Sequence, residues 1–170
     1  MNPKNFLLSE DLQGMPPRES DAFCDQVIAQ ISKRISGPFN LFYVGCLDGY
    51  EADYIQKRVV GCSTYCFDPM QSALFIGASQ HVLAIGCTDG PMQFWEAQEG
   101  MSSLYDRGGT ERTVEAKRID TFCRENGITS VDVLSIDTEG TAWDVIESCG
   151  DMLATCKVIE CEMQYVEMYK

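Results

Sequence analysis

Histidine is nearly absent from this chain: its 170 residues hold one, His81. A nucleophile–histidine–acid triad needs an imidazole at the reacting end of a strand. His81 stands before the apolar run "HVLAIG", which excludes that chemistry and leaves a surface or internally satisfied ring. Basic residues are scarce as well, thirteen Lys plus Arg against twenty-six Asp plus Glu, for a formal net charge of −13. So acidic a surface repels phosphate backbones and anionic headgroups, removing nucleic acid and membrane surfaces as expected partners. The one locally basic stretch, 107–118, carries Glu111 and Glu115 among its cations. No apolar run approaches the ~20 residues that a bilayer-spanning helix requires. Neither a CxxC pair nor a G-x-G-x-x-G loop is present. The nine cysteines are odd in number, and their closest pair, Cys62 and Cys66 in "CSTYC", has neither redox nor zinc spacing. "MNPKNFLLSEDLQG" lacks the basic and apolar regions of a signal peptide. The expectation is a reducing, cytoplasmic compartment in which free thiols pack as small hydrophobes.

What remains is an ordinary globular composition, 45 % hydrophobic and 23 % charged, in a length that suits one domain. Residues 1–36 read as an N-terminal segment and helix, with Phe23, Val27, Ile28, Ile31 and Ile35 at helical spacing and Ser20 as its cap. Residues 37–170 read as the main unit. There "NLFYVG" predicts a buried strand, "EADYIQKRVV" a helix, "STYCFDP" a second strand, "MQSALFIGA" a helix begun by Pro69, and "HVLAIG" a third strand. "MQFWEA" and "RTVEAKRI" alternate as half-exposed strands of an inserted hairpin or edge pair. "DTFCREN" follows as a helix ending at Gly127, "VDVLSID" as a strand, "TAWDVIESC" as a helix ending at Gly150, and "KVIECEM" as a last strand. Strands alternating with helices, several of them apolar throughout, predict an α/β fold with a doubly wound, mostly parallel sheet.

Ligands of such sheets bind beyond the strands' carboxyl ends, so the residues after each strand are the candidates. Gly45 and Gly49 follow the first strand, either as a loop that lets backbone approach a ligand or as a tight strand-to-helix turn. Asp68 lies twenty-three positions after Gly45, near the separation at which an acid grips ribose hydroxyls, although Asp before Pro also forms turns. The interval "CLD" with its acidic Asp48 disfavours a pyrophosphate. A nucleoside without phosphates fits better, and S-adenosylmethionine, whose sulfonium is cationic, is the candidate cofactor. Asp89 in "GCTDG" could accept from an adenine amine or cap a turn. Asp137 and Glu139 in "DTEG" could chelate a hard metal, act as general base, hold the donor's amino group, or cap a helix. Glu160 and Glu162, two apart on the last strand, share a face. Trp95 and Trp143 read as core residues.

Together "FYVGCLDGY", "CFDP", "GMSSLY", "VEAKRIDTF", "VDVLSIDTEGTAWDVI" and "KVIECEM" resemble the FkbM family of S-adenosylmethionine-dependent methyltransferases over residues 40–163. The resemblance implies a class I methyltransferase fold of Rossmann-like type. It places Gly45, Gly49 and Asp137 at the donor's methionine end, Asp68 at its ribose and Asp89 near its adenine, with Tyr43, Cys46 and Pro69 also expected among the donor-binding residues. It also implies O-methylation of a hydroxyl on a small-molecule or glycan acceptor; Asp137 or Glu139 is the expected activator of that hydroxyl on our reading of the residues, with no metal ligands assigned. Two features depart from the family. Tyr43 stands where an acid is usual, and the chain ends at Lys170 without the helix and antiparallel strand pair that usually complete the sheet. The alternatives these leave open are a degenerate or truncated member serving as a binding or subunit module, and homodimerisation through an exposed sheet edge.

Overall fold

Phe39–Val44 forms β1 because its run is apolar except at Asn40 and can be covered on both faces, Phe39, Leu41, Phe42, Tyr43 and Val44 lying buried at the centre of a sheet. The computed structural model describes residues 20–72, 75, 76, 80–97, 102–104 and 109–162. Around β1 run β2 (Cys62–Asp68), β3 (Gln80–Val82), β7 (Val133–Ile136) and β8 (Val158–Cys161), in the order β3-β2-β1-β7-β8 with every pair parallel. This is the Rossmann-like order predicted for a doubly wound α/β fold. Alternation along β1 divides the core. Phe39 and Leu41 pack under α1 (Asp21–Arg34) and α2 (Tyr50–Arg58), while Phe42 and Val44 pack under α3 (Ile119–Asn126) and α4 (Ala142–Ser148).

The expected hairpin is present: β5 (Gly90–Glu96) and β6 (Thr110–Lys117) pair antiparallel, and the two-residue β4 (Ala84–Ile85) adds to β6 as a second, three-stranded sheet. Here the predicted third strand is corrected. "HVLAIG" divides at Leu83, whose N–H bonds to the His81 carbonyl, so that His81 stays with the main sheet and Ala84 goes to the second. The helix expected over "MQSALFIGA" is also corrected where it is described: Met70–Ser72, Phe75 and Ile76 are not helical, and the rest lies outside the described residues. Their polar groups bond elsewhere. Met70 donates its N–H to Asp68, the Gln80 amide bonds back to Met70 and Ser72, and the Ile76 N–H reaches the Asp48 carbonyl. Ser20 precedes α1, but its side chain makes no capping bond; the Ser20 carbonyl accepts from Cys24 instead. After α4 the chain continues into a 3-10 helical turn at Gly150–Thr155. All nine cysteines are free. Residues 163–170, where a closing strand pair would begin, lie outside the described residues.

Asp132 ties three strands together at their amino ends. Its buried carboxylate accepts from the Asn40 N–H at 3.0 Å, the Ser130 hydroxyl at 2.8 Å and the Lys157 ammonium at 2.7 Å, and its carbonyl accepts from Lys157 and Val158. Burial pushes its pKa up, but the Lys157 ammonium and the two other donors outweigh that and hold it below the ordinary value of 3.8. Its stabilisation is therefore present above that value and lost as acid protonates the folded carboxyl. Asp132→Ala should cost about 2–3 kcal/mol in urea melts at neutral pH. The difference from wild type should shrink below pH ~4; an equal loss at both pH values would contradict the ionised pairing.

Candidate functional site

The parallel order brings the loops after β1, β2, β7 and β8 to one edge of the sheet. Gly45 leaves β1 at φ +82°, its N–H donating to the Phe67 carbonyl at 2.8 Å. A Cβ there would lie 1.9 Å from the Asp137 carbonyl oxygen. The missing side chain thus serves a backbone contact between the ends of β1 and β7. Gly49, at φ +76°, would meet the Ile76 carbonyl and the Phe75 ring at 2.5 Å. Between them Leu47 holds φ +45°, a left-handed conformation unfavourable for a leucine, with its side chain 59 % exposed. Asp68 sustains that turn: its carboxylate accepts from the Leu47 N–H and the Met70 N–H, both at 2.9 Å. Burial pushes the Asp68 pKa up, and those two N–H groups oppose the shift.

Two cavities open beside this loop. The first, of about 320 Å³, is walled by Gly45 and Leu47, by Asp68 and Pro69, by Ile85 and Phe94, by Ser102–Leu104, and by Asp137, Thr138 and Glu139. The Ser103 hydroxyl donates to the Glu139 carbonyl at 2.7 Å, fastening the Ser-Ser-Leu segment over the "DTEG" turn. Thr138 Oγ1 is buried there without a hydrogen-bond partner. The second cavity, of about 440 Å³, is lined by Phe23, Tyr43, Cys46, Asp48, Glu51, Glu160 and Glu162. Gly45, Leu47, Asp137 and Glu162 belong to both. Neither is lined by lysine or arginine among the described residues.

Asp137 is exposed at the shared rim of these cavities, with its carboxyl against their acidic wall. Partial desolvation there, then the neighbouring Glu162 carboxyl, Glu139 and Glu160 push its pKa from 3.8 up to about 7. Burial likewise raises Glu160, against the opposing Ser135 hydroxyl that donates to it at 2.7 Å. Tyr43 is buried, and that burial, with Glu51, Asp137 and Glu160 nearby, keeps its phenol neutral far above the ordinary range. The Cys46 thiol hydrogen-bonds with Cys66 and is raised by that contact and by burial. Among the described residues no group of three or more His, Cys, Asp or Glu side chains is arranged to hold a metal ion.

Of the sequence-derived candidates, the first cavity gathers Gly45, Asp68, Pro69, Asp137 and Glu139, and the second gathers Tyr43, Gly45, Cys46 and Asp137. Gly49 and Asp89 line neither. Asp89 accepts from the Arg118 N–H at 2.8 Å and the Thr121 hydroxyl at 3.0 Å, which secures the start of α3. Trp143, expected in the core, is 67 % exposed on the first turn of α4. His81 packs against Phe67, Tyr65 and Phe122, and burial lowers its pKa. Sequence reasoning missed Leu47 and Thr138. Thr138 had a signal, its place inside "DTEG"; a leucine at positive φ has none.

A mostly parallel sheet in Rossmann-like order, whose carboxyl edge joins a glycine turn, a second-strand acid and an acid after β7, is the α/β architecture in which ligands bind beyond the strand ends. Comparison with known families is specific. The model described as "Methyltransferase FkbM domain" matches residues 50–170, and the chain belongs to the FkbM family of methyltransferases, a membership that implies S-adenosylmethionine as donor. The chain is also similar to the 2-O-methyltransferase NoeI of Sinorhizobium fredii, 24 % identical over 155 aligned residues. That match covers 75 % of this chain and 64 % of the relative's length. No solved structure matches. No helix among the described residues is long and apolar enough to cross a membrane.

Proposed function

We propose that this protein transfers a methyl group from S-adenosylmethionine to a hydroxyl of a sugar or other small natural product. The observation that carries the proposal is the meeting of Gly45, Asp68 and Asp137, from three separate strand ends, on one cavity of the FkbM-family domain. The residues present fit the donor. Acid walls with no lysine or arginine among their described residues suit a sulfonium and an ammonium and would repel a pyrophosphate. The buried, partnerless Thr138 Oγ1 supplies a polar group that a bound ligand would satisfy.

Bound there, the donor supplies an already activated methyl, so the chain's contribution is chiefly positioning. Asp68, with two of its lone-pair directions spent on Leu47 and Met70, keeps capacity to accept from ribose hydroxyls. Asp137 is the residue placed to receive the acceptor's hydroxyl proton, with Glu139 beside it. The O-methyl transfer named for the relative in Sinorhizobium fredii supports a hydroxyl acceptor. Calorimetry with S-adenosylhomocysteine, followed by methyl transfer to a panel of mono- and oligosaccharides and phenolic alcohols, tests the reading. Micromolar binding and turnover of a hydroxylated acceptor are expected. Binding without turnover across the panel would favour a binding module, and no binding would remove the proposal.

A further inference from the structure

The wall shared by the two cavities carries two carboxyl groups beside Gly45 and Leu47. Asp137 ends β7, held by its N–H on the Val44 carbonyl at 2.8 Å. Glu162 follows β8, held by its N–H on the Ile136 carbonyl at 3.1 Å. Because β7 and β8 are neighbours in parallel register, these backbone bonds bring the two side chains together at the site. Both side chains line both cavities, so the two carboxyl groups stand together on the shared wall, and a proton taken up there can be held between them. Among the described residues no lysine or arginine lines either cavity. The groups facing Asp137 are Glu139 on its own loop, Glu160 and Glu162 from β8, and Tyr43, Asp48 and Glu51 across the second cavity. All of these are acidic or neutral.

We propose that Glu162 is a positioning residue for the reaction, its carboxylate standing beside that of Asp137 on the shared cavity wall so that the acceptor's hydroxyl proton, once taken by Asp137, is held between the two. This rests on the methyl-transfer reading above. An aspartate at its ordinary value is a poor acceptor of a proton from an alcohol, whereas one that titrates near neutrality is matched to the task. Glu162 supplies that match by its negative charge and its contact, while Glu160 is drawn off by Ser135. In the transfer, the acceptor oxygen forms its bond to the methyl carbon as the sulfur–methyl bond breaks. The bonding pair stays on sulfur as a neutral thioether, and the hydroxyl proton passes to the Asp137 carboxylate. Glu162 shares that proton, and product release and its loss to solvent restore the ionised pair.

The pair can be read without any ligand. In protein labelled with carbon-13 at aspartate carboxyls, one resonance should titrate near 7 and disappear in Asp137→Asn. In Glu162→Gln it should titrate lower by about one unit or more. Glu162→Asp, which keeps the charge, should retain most of the raised midpoint and provides the comparison if the glutamine variant folds poorly. In the pH profile of kcat/KM, the acid limb should move down by the same amount in Glu162→Gln. A wild-type midpoint in the ordinary aspartate range, or a midpoint unmoved by Glu162→Gln, would overturn the proposal. Absence of S-adenosylhomocysteine binding would sink the methyl-transfer reading and the catalytic part of this one with it. Donor binding and turnover with an acid limb unmoved in Glu162→Gln would overturn this proposal alone.

Discussion

Gly45→Ala should destabilise the fold by about 2–5 kcal/mol, combining a left-handed backbone cost of about 1–2 kcal/mol with an overpacking cost of about 1–3 kcal/mol. The second contribution is the informative one. At Gly45 a methyl group would stand 1.9 Å from the Asp137 carbonyl, and a backbone oxygen at a strand end cannot swing aside as a side chain can. Either β7 is pushed from β1, breaking the Asp137 N–H bond to Val44, or the glycine turn unwinds and Leu47 loses Asp68. Gly37 provides the control. It too has positive φ, +88°, but a Cβ there meets nothing within 4 Å, so Gly37→Ala should cost only the backbone part. Urea melts of both variants separate the two contributions. Equal losses would mean that the ends of β1 and β7 are not held as close as the structure places them.

That contact bears on how far the site was legible beforehand. The glycine spacing was visible, and so was its position after a buried strand; the use of the missing Cβ was not. Sequence patterns report what a residue permits, and Gly45 permits ligand approach and strand-end contact alike. Hydrophobic periodicity located β1, β2, β7, β8 and the β5–β6 pair because each buries a face that its neighbours dictate locally. It failed at 70–72, 75 and 76, where the Gln80 side-chain amide and the Asp48 backbone carbonyl take backbone partners that a helix would have used. It also ran β3 and β4 together, since a hydrophobic run of six residues contains no sign of which of two sheets each half will join. Asp89 shows the same limit in polar form. The sequence offered adenine or a capped turn; the structure engages its carboxylate with α3. The carboxyl cluster was legible only in parts, because "DTEG" and "ECE" are far apart in the chain and meet through the pairing of β7 with β8.

Asp68→Ala should weaken S-adenosylhomocysteine binding about 30-fold or more, the equivalent of about 2 kcal/mol for a lost hydrogen bond to a charged group. Two routes lead to that loss, and a second variant separates them. Alanine removes the proposed ribose acceptor, and it also releases the Leu47 and Met70 N–H groups, so the turn carrying Leu47 at φ +45° loses what sustains it. Asparagine keeps one oxygen and presents an amide donor to one of the two N–H groups. If ribose contact dominates, Asp68→Asn should bind within about tenfold of wild type. If turn geometry dominates, it should resemble alanine. The pH dependence adds an independent check. Burial raises the Asp68 pKa, so between its unfolded and folded values the native state holds a proton that the unfolded chain has lost, and its contribution to stability falls as the pH rises through that window. Ligand affinity should run the other way, because the ionised carboxylate is the stronger acceptor: binding should tighten as Asp68 deprotonates while stability declines slightly. Binding that tracks stability in the same direction would show that Asp68 acts through the loop and not through the ligand.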